Sequence, residues 1–199
     1  MNNLSALRFV KFVIIADNFA MDKELSKRLF RDAGIPTPEW VWFDTESGSA
    51  DALSARIGLP CVVKPNDCGS SVGVSIVETR EALREALAEA AKWGRRVLVE
   101  KKITGRELTV GVLDGRALPP VEIIPESGFY DYKNKYQGTT RDVCPAELPE
   151  DVTARLSALS LTAFEVLRLS GYARIDYILD ADGTPWCLEA NALPGMTTT

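Results

Sequence analysis

The segment that decides the fold is YARIDYILDADGTPWCLEAN, which occupies residues 172–191 of a chain of 199 residues. Two mostly apolar stretches, 172–179 and 185–190, flank the dipeptide Asp182-Gly183. This dipeptide is a strong signal for a turn between antiparallel strands. We therefore predict a β-hairpin, with residues 181–184 as a four-residue loop.

This hairpin places polar side chains together on one face. With a four-residue loop, three pairs face each other: Asp180 with Pro185, Asp176 with Glu189, and Arg174 with Asn191. Residues two apart on a strand share a face, so Arg174, Asp176, Glu189 and Asn191 point the same way. Two carboxylates directly opposite should repel each other. A divalent cation removes that penalty, and oxygen donors of this kind suit Mg²⁺. A solvated polar face is the alternative.

Composition excludes several classes of protein. The net charge of −5 argues against non-specific binding to nucleic acid, which needs a basic surface. The chain has no histidine, which excludes His-ligated zinc and Ser-His-Asp triads. Its four cysteines form no C-x-x-C pair, so we expect a reducing cytoplasm rather than a disulfide framework. No segment is long and apolar enough to cross a membrane, and we expect no membrane partner.

The rest of the chain predicts an α+β fold, because antiparallel hairpins alternate with helices. Helices are predicted at 20–33, 50–57, 81–92 and 149–169, and strands at 9–15, 40–43, 61–64, 74–77, 97–100, 108–113 and 117–124. Residues 125–146 lack periodicity and are predicted to form a long loop, which is either functional or disordered. Neither G-x-G-x-x-G nor the P-loop motif is present, which argues against both nucleotide-binding folds.

The sequence NDCGSSVG at 66–73 lies between two predicted strands and is a candidate phosphate-binding loop. Gly69 and Gly73 permit close approach of the backbone, and Ser70 and Ser71 supply hydroxyl and N–H groups. The alternative is an ordinary glycine-rich hairpin loop.

Charged residues beside this loop extend the candidate site. Lys64 ends a strand and Lys23 begins a helix, so either could place a point charge on a phosphate. Residues 100–103 end another strand, where backbone edges can bind an adenine, and the Glu107 carboxylate can bind ribose hydroxyls. Solvated lysines and a polar strand end are the alternatives.

Seven motifs resemble those of the D-alanine–D-alanine ligase family, in the family's order and with similar spacing. They are AMDK at 20–23, VVKP at 62–65, GSSVG at 69–73, G-x-E at 105–107, FYDY at 129–132 with KY at 135–136, R-x-D at 174–176, and LEAN at 188–191 with PGMT at 194–197. The resemblance covers residues 20–197. It implies an ATP-grasp fold, in which two α+β lobes bind ATP between antiparallel sheets. The lobes would be residues 20–103 and 104–199, with 1–19 in the place of an N-terminal domain.

The same resemblance implies roles for individual residues. ATP would be bound by Lys23, Lys64, Gly69, Ser70, Ser71, Val72 and Gly73 at the phosphates and by Glu100, Lys101, Lys102, Ile103 and Glu107 at the adenosine. Mg²⁺, with Mn²⁺ as an alternative, would be bound by Asp176, Glu189 and Asn191. The catalytic candidates are Arg174 and the Gly195 N–H at the oxyanion, Lys135 and Tyr136 in a closing loop, and Ser71.

The implied reaction joins two D-alanines through an acyl phosphate, in the synthesis of peptidoglycan precursors. The partners would be small molecules, and a homodimer is left open. The family carries a further N-terminal domain and a longer C-terminal end, both of which bear on the amino-acid sites. We therefore expect ATP binding but little dipeptide synthesis by this chain. The alternatives are a related carboxylate–amine or depsipeptide ligase, a nucleotide-binding module without ligase activity, and an inert structural domain. The last is disfavoured because it leaves Asp176 facing Glu189 unexplained.

Overall fold

The computed structural model describes residues 22–66, 73–125 and 140–192. The described chain contains two antiparallel sheets with helices packed against them. The helices are α1 (Lys23–Asp32), α2 (Ala50–Ile57), α3 (Arg80–Ala90) and α4 (Glu150–Val166), with a 3-10 turn at Ala91–Trp93. The strands are β1 (Trp40–Asp44), β2 (Cys61–Pro65), β3 (Ser75–Val77), β4 (Arg96–Lys101), β5 (Arg106–Leu113), β6 (Arg116–Ala117), β7 (Val121–Pro125), β8 (Thr140–Val143), β9 (Tyr172–Leu179) and β10 (Pro185–Asn191).

The first sheet has the strand order β1-β4-β2-β3, and α2 and α3 pack against it. Both helices begin at a capping hydroxyl, because the side chains of Ser49 and Thr79 accept hydrogen bonds from Ala52 N and Ala82 N. Alternate residues of β2 are buried, whereas Val62 and Lys64 are half-buried on the opposite face. This alternation leaves one face of the sheet in the core and turns the other toward the second sheet.

The second sheet has the order β10-β9-β5-β7-β8, with β6 beside β5. Helix α4 covers one face, where Leu156, Leu108 and Ile175 are fully buried. In β9 every second residue from Ala173 to Leu179 is buried, while Arg174 and Asp176 lie on the other face. The strand pattern therefore sends the charged residues of β9 away from the core.

Helix α1 packs on the second sheet. Phe30 and Ile35 belong to the same buried cluster as the residues of β5, β9 and α4. Asp22 caps the helix by accepting a hydrogen bond from Leu25 N at 3.1 Å. This packing differs from the prediction that places residues 20–103 together in the first lobe. An apolar helix face requires a partner surface, but its periodicity does not say which sheet supplies that surface.

Two predictions of secondary structure were wrong. The strand predicted at 117–124 is divided into β6 and β7 around Pro119 and Pro120, because proline lacks the N–H that a sheet ladder needs. Residues Thr140–Val143, predicted to be loop, form β8 and pair with β7. The predicted strand at 9–15 lies outside the described residues.

In the part of the chain that the structure describes, no helix has the length and apolar character needed to span a membrane.

Candidate functional site

A cleft of about 540 Å³ lies between the two sheets. Its apolar walls come from both sides, with Val62 and Ile76 on the first sheet and Ile123, Ile178 and Leu188 on the second. Charged side chains also line it, namely Lys23, Lys64, Glu100, Lys101, Lys102, Arg106, Glu107, Glu122, Asp176 and Glu189. The cleft therefore offers an apolar slot for a flat group with charged groups around it.

Two chain segments cross between the sheets at the base of this cleft. In the first, Pro36 O accepts from Cys187 N at 2.7 Å and Glu39 O accepts from Lys101 N at 2.8 Å. In the second, Gly105 leads from β4 into β5. A Cβ atom on Gly105 would lie 2.0 Å from Leu179 O, so only glycine permits this approach.

A buried ionic cluster closes one side of the cleft. The carboxylate of Glu100 is 3% exposed and lies between two lysines, with Lys64 Nζ on Oε1 and Lys27 Nζ 3.0 Å from Oε2. Lys27 also donates to Thr37 Oγ1 at 2.7 Å and lies over the ring of Trp40. One carboxylate thus lies between two ammonium groups, and the cluster has a net positive charge in surroundings that are almost closed to solvent.

These contacts shift the ionisation of all three groups. Burial alone raises the pKa of Glu100, but the charges of Lys27 and Lys64 outweigh it and lower the pKa to about 2. Burial also opposes the charge of Lys64, yet Glu100 and more distant carboxylates keep its pKa raised. The pKa of Lys27 is lowered by burial, which the attraction of Glu100 only partly offsets. Glu100 is therefore a carboxylate at neutral pH and cannot donate a proton.

The second polar cluster lies on β9 and β10, where Asp176 pairs with Glu189 as predicted. Arg174 donates to both oxygens of Asp176, at 2.9 and 3.0 Å. Asn191 Nδ2 donates to Asp176 Oδ2 at 3.0 Å and reaches Glu189 Oε1 at 3.5 Å. The hydroxyl of Thr109, on β5, donates to Asp176 Oδ1 at 2.7 Å. All four predicted side chains meet on one face.

The predicted pairing of Asp180 with Pro185 was wrong, because Pro185 pairs with Leu179. A bulge between Cys187 and Glu189 adds one residue to β10 and restores the predicted pairs beyond it. Asp180 instead closes the turn. Its carboxylate accepts from Thr184 N at 2.8 Å and from Trp186 Nε1 at 2.7 Å.

The predicted repulsion between Asp176 and Glu189 is partly offset, because Arg174 forms an ion pair with Asp176. Two carboxylates and one amide remain on a face that borders the cleft. This donor set fits a hard divalent cation that is shared with a ligand. Within the described ranges, no three acidic or cysteine side chains cluster as a metal site, so the amide of Asn191 and the ligand would have to complete the coordination.

Lys23 lies at the edge of the candidate phosphate loop. Its Nζ donates to Asn66 O at 3.4 Å. The buried side chain of Asn66 accepts from Glu24 N and donates to Asp22, both at 3.3 Å. Hydrogen bonds therefore join Asn66, the first residue of the loop, to the start of α1.

Gly73, at the other end of the loop, has a φ of +69°. A Cβ there would lie 2.7 Å from Pro65 Cγ and 3.1 Å from the Trp93 ring. Both the positive φ and the close packing favour glycine. Other predicted site residues lie outside the described residues, namely Gly69, Ser70, Ser71, Val72, Lys135, Tyr136 and Gly195.

The predicted adenosine-binding segment lines the cleft as it leaves β4. Lys101 is exposed, whereas Lys102, Ile103 and Glu107 are half-buried. Glu100 was predicted to bind the nucleotide, but both oxygens of its carboxylate face lysines.

Sequence reasoning missed Lys27 and Thr109. Lys27 follows Lys23 by four residues and precedes Phe30 by three, which places it on the inner face of α1. Thr109 carried a weaker signal, a polar residue within an apolar strand.

Comparisons with known proteins agree with this architecture. The family model described as "D-ala D-ala ligase C-terminus" matches residues 29–199. A D-alanine–D-alanine ligase of Synechococcus sp. (strain JA-3-3Ab) is 46% identical over 188 residues, which cover 93% of this chain and 58% of that protein. The described fold is also similar to the crystal structure of D-alanine–D-alanine ligase from Bacillus anthracis, with a TM-score of 0.81, 38% identity and coverage of 92% of this chain and 60% of that one. The same enzyme complexed with ATP has a TM-score of 0.78, 35% identity and coverage of 92% and 59%. The chain thus spans less than two thirds of these relatives, and the predicted α+β fold with two lobes is confirmed.

Proposed function

The chain belongs to the family of the D-alanine–D-alanine ligase C-terminal domain, with its ATP-grasp fold, and from this premise we propose that it is the ATP-binding and metal-binding part of a ligase that joins two D-alanines. One observation carries the proposal. A single cleft has the lysine-rich cluster around Glu100 on one side and the acidic cluster of Asp176 and Glu189 on the other. This arrangement suits a nucleotide triphosphate with its divalent cation.

The adenine is assigned to the apolar slot between the two sheets. The volume of about 540 Å³ lies within the range of ordinary small-molecule sites. The backbone of residues 101–103 would bind the edge of the base, beside the Glu100 carboxylate. Glu107 would bind the ribose hydroxyls. The half-buried positions of Ile103 and Glu107 support this orientation.

The triphosphate then extends toward Lys23, Lys64 and residues 69–73. Lys64 keeps its positive charge because Glu100 raises its pKa. Lys23 is held near the loop through Asn66. Ammonium groups in these places neutralise phosphate oxygens as the terminal phosphoryl group leaves.

Asp176, Glu189 and Asn191 are assigned to Mg²⁺, with Mn²⁺ as an alternative. When bound, the cation supplies charge neutralisation to the phosphates. Thr109 and Arg174 orient the Asp176 carboxylate through the hydrogen bonds described above. Arg174 is also our candidate, with Gly195, for the oxyanion of the reaction, and Ser71, Lys135 and Tyr136 remain catalytic candidates by family resemblance.

The proposed reaction transfers a phosphoryl group from ATP to the carboxylate of one D-alanine. The amine of a second D-alanine then attacks the acyl phosphate, an amide bond forms and phosphate leaves. Such a reaction belongs to peptidoglycan precursor synthesis in the cytoplasm, which is our proposed location. We expect the purified chain to bind ATP, and it spans 58% of the length of the Synechococcus relative.

Two measurements on the purified chain test this function. Calorimetric titration with Mg·ATP should show binding, and the Asp182→Asn variant, altered at an exposed position in the turn and away from the cleft, should bind equally well. Phosphate release from ATP is then measured with and without D-alanine. Release that depends on D-alanine supports the ligase, and binding without release supports the alternative of a nucleotide-binding module. The absence of Mg·ATP binding would overturn the proposal.

A further inference from the structure

Asn66 connects the end of β2, in the first sheet, to the start of α1, a helix that packs on the second sheet. Its backbone N–H donates to Arg96 O at 3.2 Å, which fixes the residue beside β4. Asn66 is only 2% exposed, so its side-chain amide requires partners within the protein. Partners on α1 tie the two sheets together at this point.

The amide of Asn66 holds both neighbours of Lys23. Its Oδ1 accepts from Glu24 N at 3.3 Å, and its Nδ2 donates to Asp22 Oδ1, also at 3.3 Å. Asp22 immediately precedes Lys23 in the chain, and Glu24 immediately follows it. We call these two hydrogen bonds the amide clamp. Because the clamp holds the chain on both sides of Lys23, it fixes the main chain of that residue relative to β2.

The stability of α1 alone does not explain the clamp. The first N–H groups of a helix have no partner within it, and a side chain just before the helix usually supplies one. Asp22 already has this role, since its Oδ1 accepts from Leu25 N at 3.1 Å. The additional cap from Asn66 comes from a residue 42 positions away from Glu24, at the end of a strand in the other sheet. Its clear consequence is a fixed position of the start of α1.

The ammonium group of Lys23 is held by the same residue. Its Nζ donates to the backbone carbonyl of Asn66 at 3.4 Å, which is long for a hydrogen bond. Lys23 and Lys64 both line the cleft, and Lys64 lies two residues before Asn66. A long bond to a neutral oxygen is readily exchanged for a shorter, stronger bond to a charged phosphate oxygen. The clamp would keep the main chain of Lys23 in place during that exchange.

Building on the proposed function, we infer that Asn66 is a positioning residue that sets the spacing of the Lys23 and Lys64 ammonium groups for the triphosphate. The spacing needs such a residue because the two lysines lie on elements that belong to different sheets. Charge-assisted hydrogen bonds are short, so both ammonium groups must be correctly placed to bind one ligand together. Asn66 acts through the main chain of Lys23 rather than by contact with the nucleotide.

The first test compares Mg·ATP with adenosine, which lacks the phosphates. Asn66→Ala removes both bonds of the amide clamp and keeps the backbone carbonyl that accepts from Lys23. Calorimetry should show that Mg·ATP binds about fivefold more weakly, the scale of one hydrogen bond, while the Kd of adenosine changes by less than about twofold. Thr79→Ala is the matched control, because it removes the capping hydroxyl of α3, outside the cleft. Its affinities for both ligands should not change.

A double-mutant cycle then separates positioning from a structural role. Lys23→Met should weaken Mg·ATP binding by about tenfold in the wild-type protein but by only about threefold in Asn66→Ala, because an ammonium group that is no longer held contributes less. Circular dichroism checks that each variant is folded. Asn66→Leu, which fills the volume of the amide, replaces Asn66→Ala if the latter does not fold.

Two results would overturn the inference and make Asn66 a structural residue. One is an equal effect of Lys23→Met with and without the clamp. The other is an equal loss of affinity for Mg·ATP and adenosine when the clamp is removed. A wild-type protein that does not bind Mg·ATP would instead refute the proposed function.

Discussion

The two ionic clusters that face each other across the cleft are built in opposite ways. Around Glu100, one carboxylate lies between two lysines, and all three side chains are at most 14% exposed. On β9 and β10, two carboxylates lie opposite each other, Arg174 pairs with Asp176, and the side chain of Arg174 is 29% exposed. The first cluster has an excess of positive charge and is closed to water, whereas the second has an excess of negative charge and borders the cleft.

This difference in solvent exposure determines whether each cluster can lose or exchange a charged partner. When a buried charge loses its partner, no water is near enough to solvate it. Removal of any one member of the Glu100 cluster should therefore destabilise the fold. The acidic cluster is partly solvated, so a carboxylate there can exchange one cationic partner for another. The first arrangement suits the fixed orientation of a group, and the second suits the reversible binding of a cation.

The largest effect is expected from removing the anion of the closed cluster. Glu100→Leu leaves Lys27 and Lys64 buried without a counter-charge and should lower the free energy of unfolding by roughly 3–5 kcal/mol. Glu189→Leu, in the acidic cluster, should change it by less than about 1 kcal/mol without metal. Urea denaturation in the absence of Mg²⁺ measures both. Equal losses in the two variants would remove the distinction between the clusters.

Acid should weaken the closed cluster over a defined range. The pKa of Glu100 is about 2 in the folded chain, below its ordinary value of 4.5, so the folded state binds fewer protons. The stabilisation is complete above pH 4.5 and is lost as the pH falls toward 2, with a size on the order of 3 kcal/mol. Glu100→Gln should lack this component. Urea midpoints at pH 6 and pH 3 should therefore differ more for the wild-type protein than for the variant, and parallel changes would contradict the assigned pKa.

In the acidic cluster, loss of one charge should affect ligand binding rather than folding. Glu189→Gln should weaken Mg·ATP binding by about 10–100-fold, because a charged oxygen ligand is lost. Without metal the variant should be as stable as the wild-type protein or up to roughly 0.5 kcal/mol more stable. Calorimetry and urea denaturation test the two parts, with Asp182→Asn, at an exposed position in the turn of the same hairpin, as the control. A less stable variant with unchanged Mg·ATP affinity would make Glu189 a structural residue.

The smallest effect is expected at Thr109. Thr109→Val removes the hydroxyl that donates to Asp176 Oδ1 at 2.7 Å and preserves the shape of the side chain. We expect a loss of about 1 kcal/mol in unfolding free energy and a decrease of up to about tenfold in Mn²⁺ affinity, measured by calorimetry. Thr162→Val, whose hydroxyl bonds only within α4, is the control. An Mn²⁺ affinity equal to that of the wild-type protein would show that Asp176 needs no support from β5.

Local sequence features were sufficient to predict much of the architecture. Asp182-Gly183 predicted the hairpin of β9 and β10, and Thr79 correctly predicted the cap of α3. These predictions succeeded because turns, caps and periodic patterns act over a few neighbouring residues. The pairing of Asp176 with Glu189 was also predicted, although the bulge before Glu189 was needed to compensate for a longer turn.

Local patterns were therefore enough to predict the helices, most strands and the polar face of the last hairpin. The packing of α1 on the second sheet could not be predicted in this way, nor could the contact of Lys27 with Glu100, which lies 73 positions later in the chain. The physical reason is that periodicity identifies which side of a helix or strand is covered, but the covering surface is chosen by the packing of the whole domain. A buried lysine has the same sequence signature as a solvated one, and its role becomes visible only with the carboxylate, hydroxyl and ring that surround it.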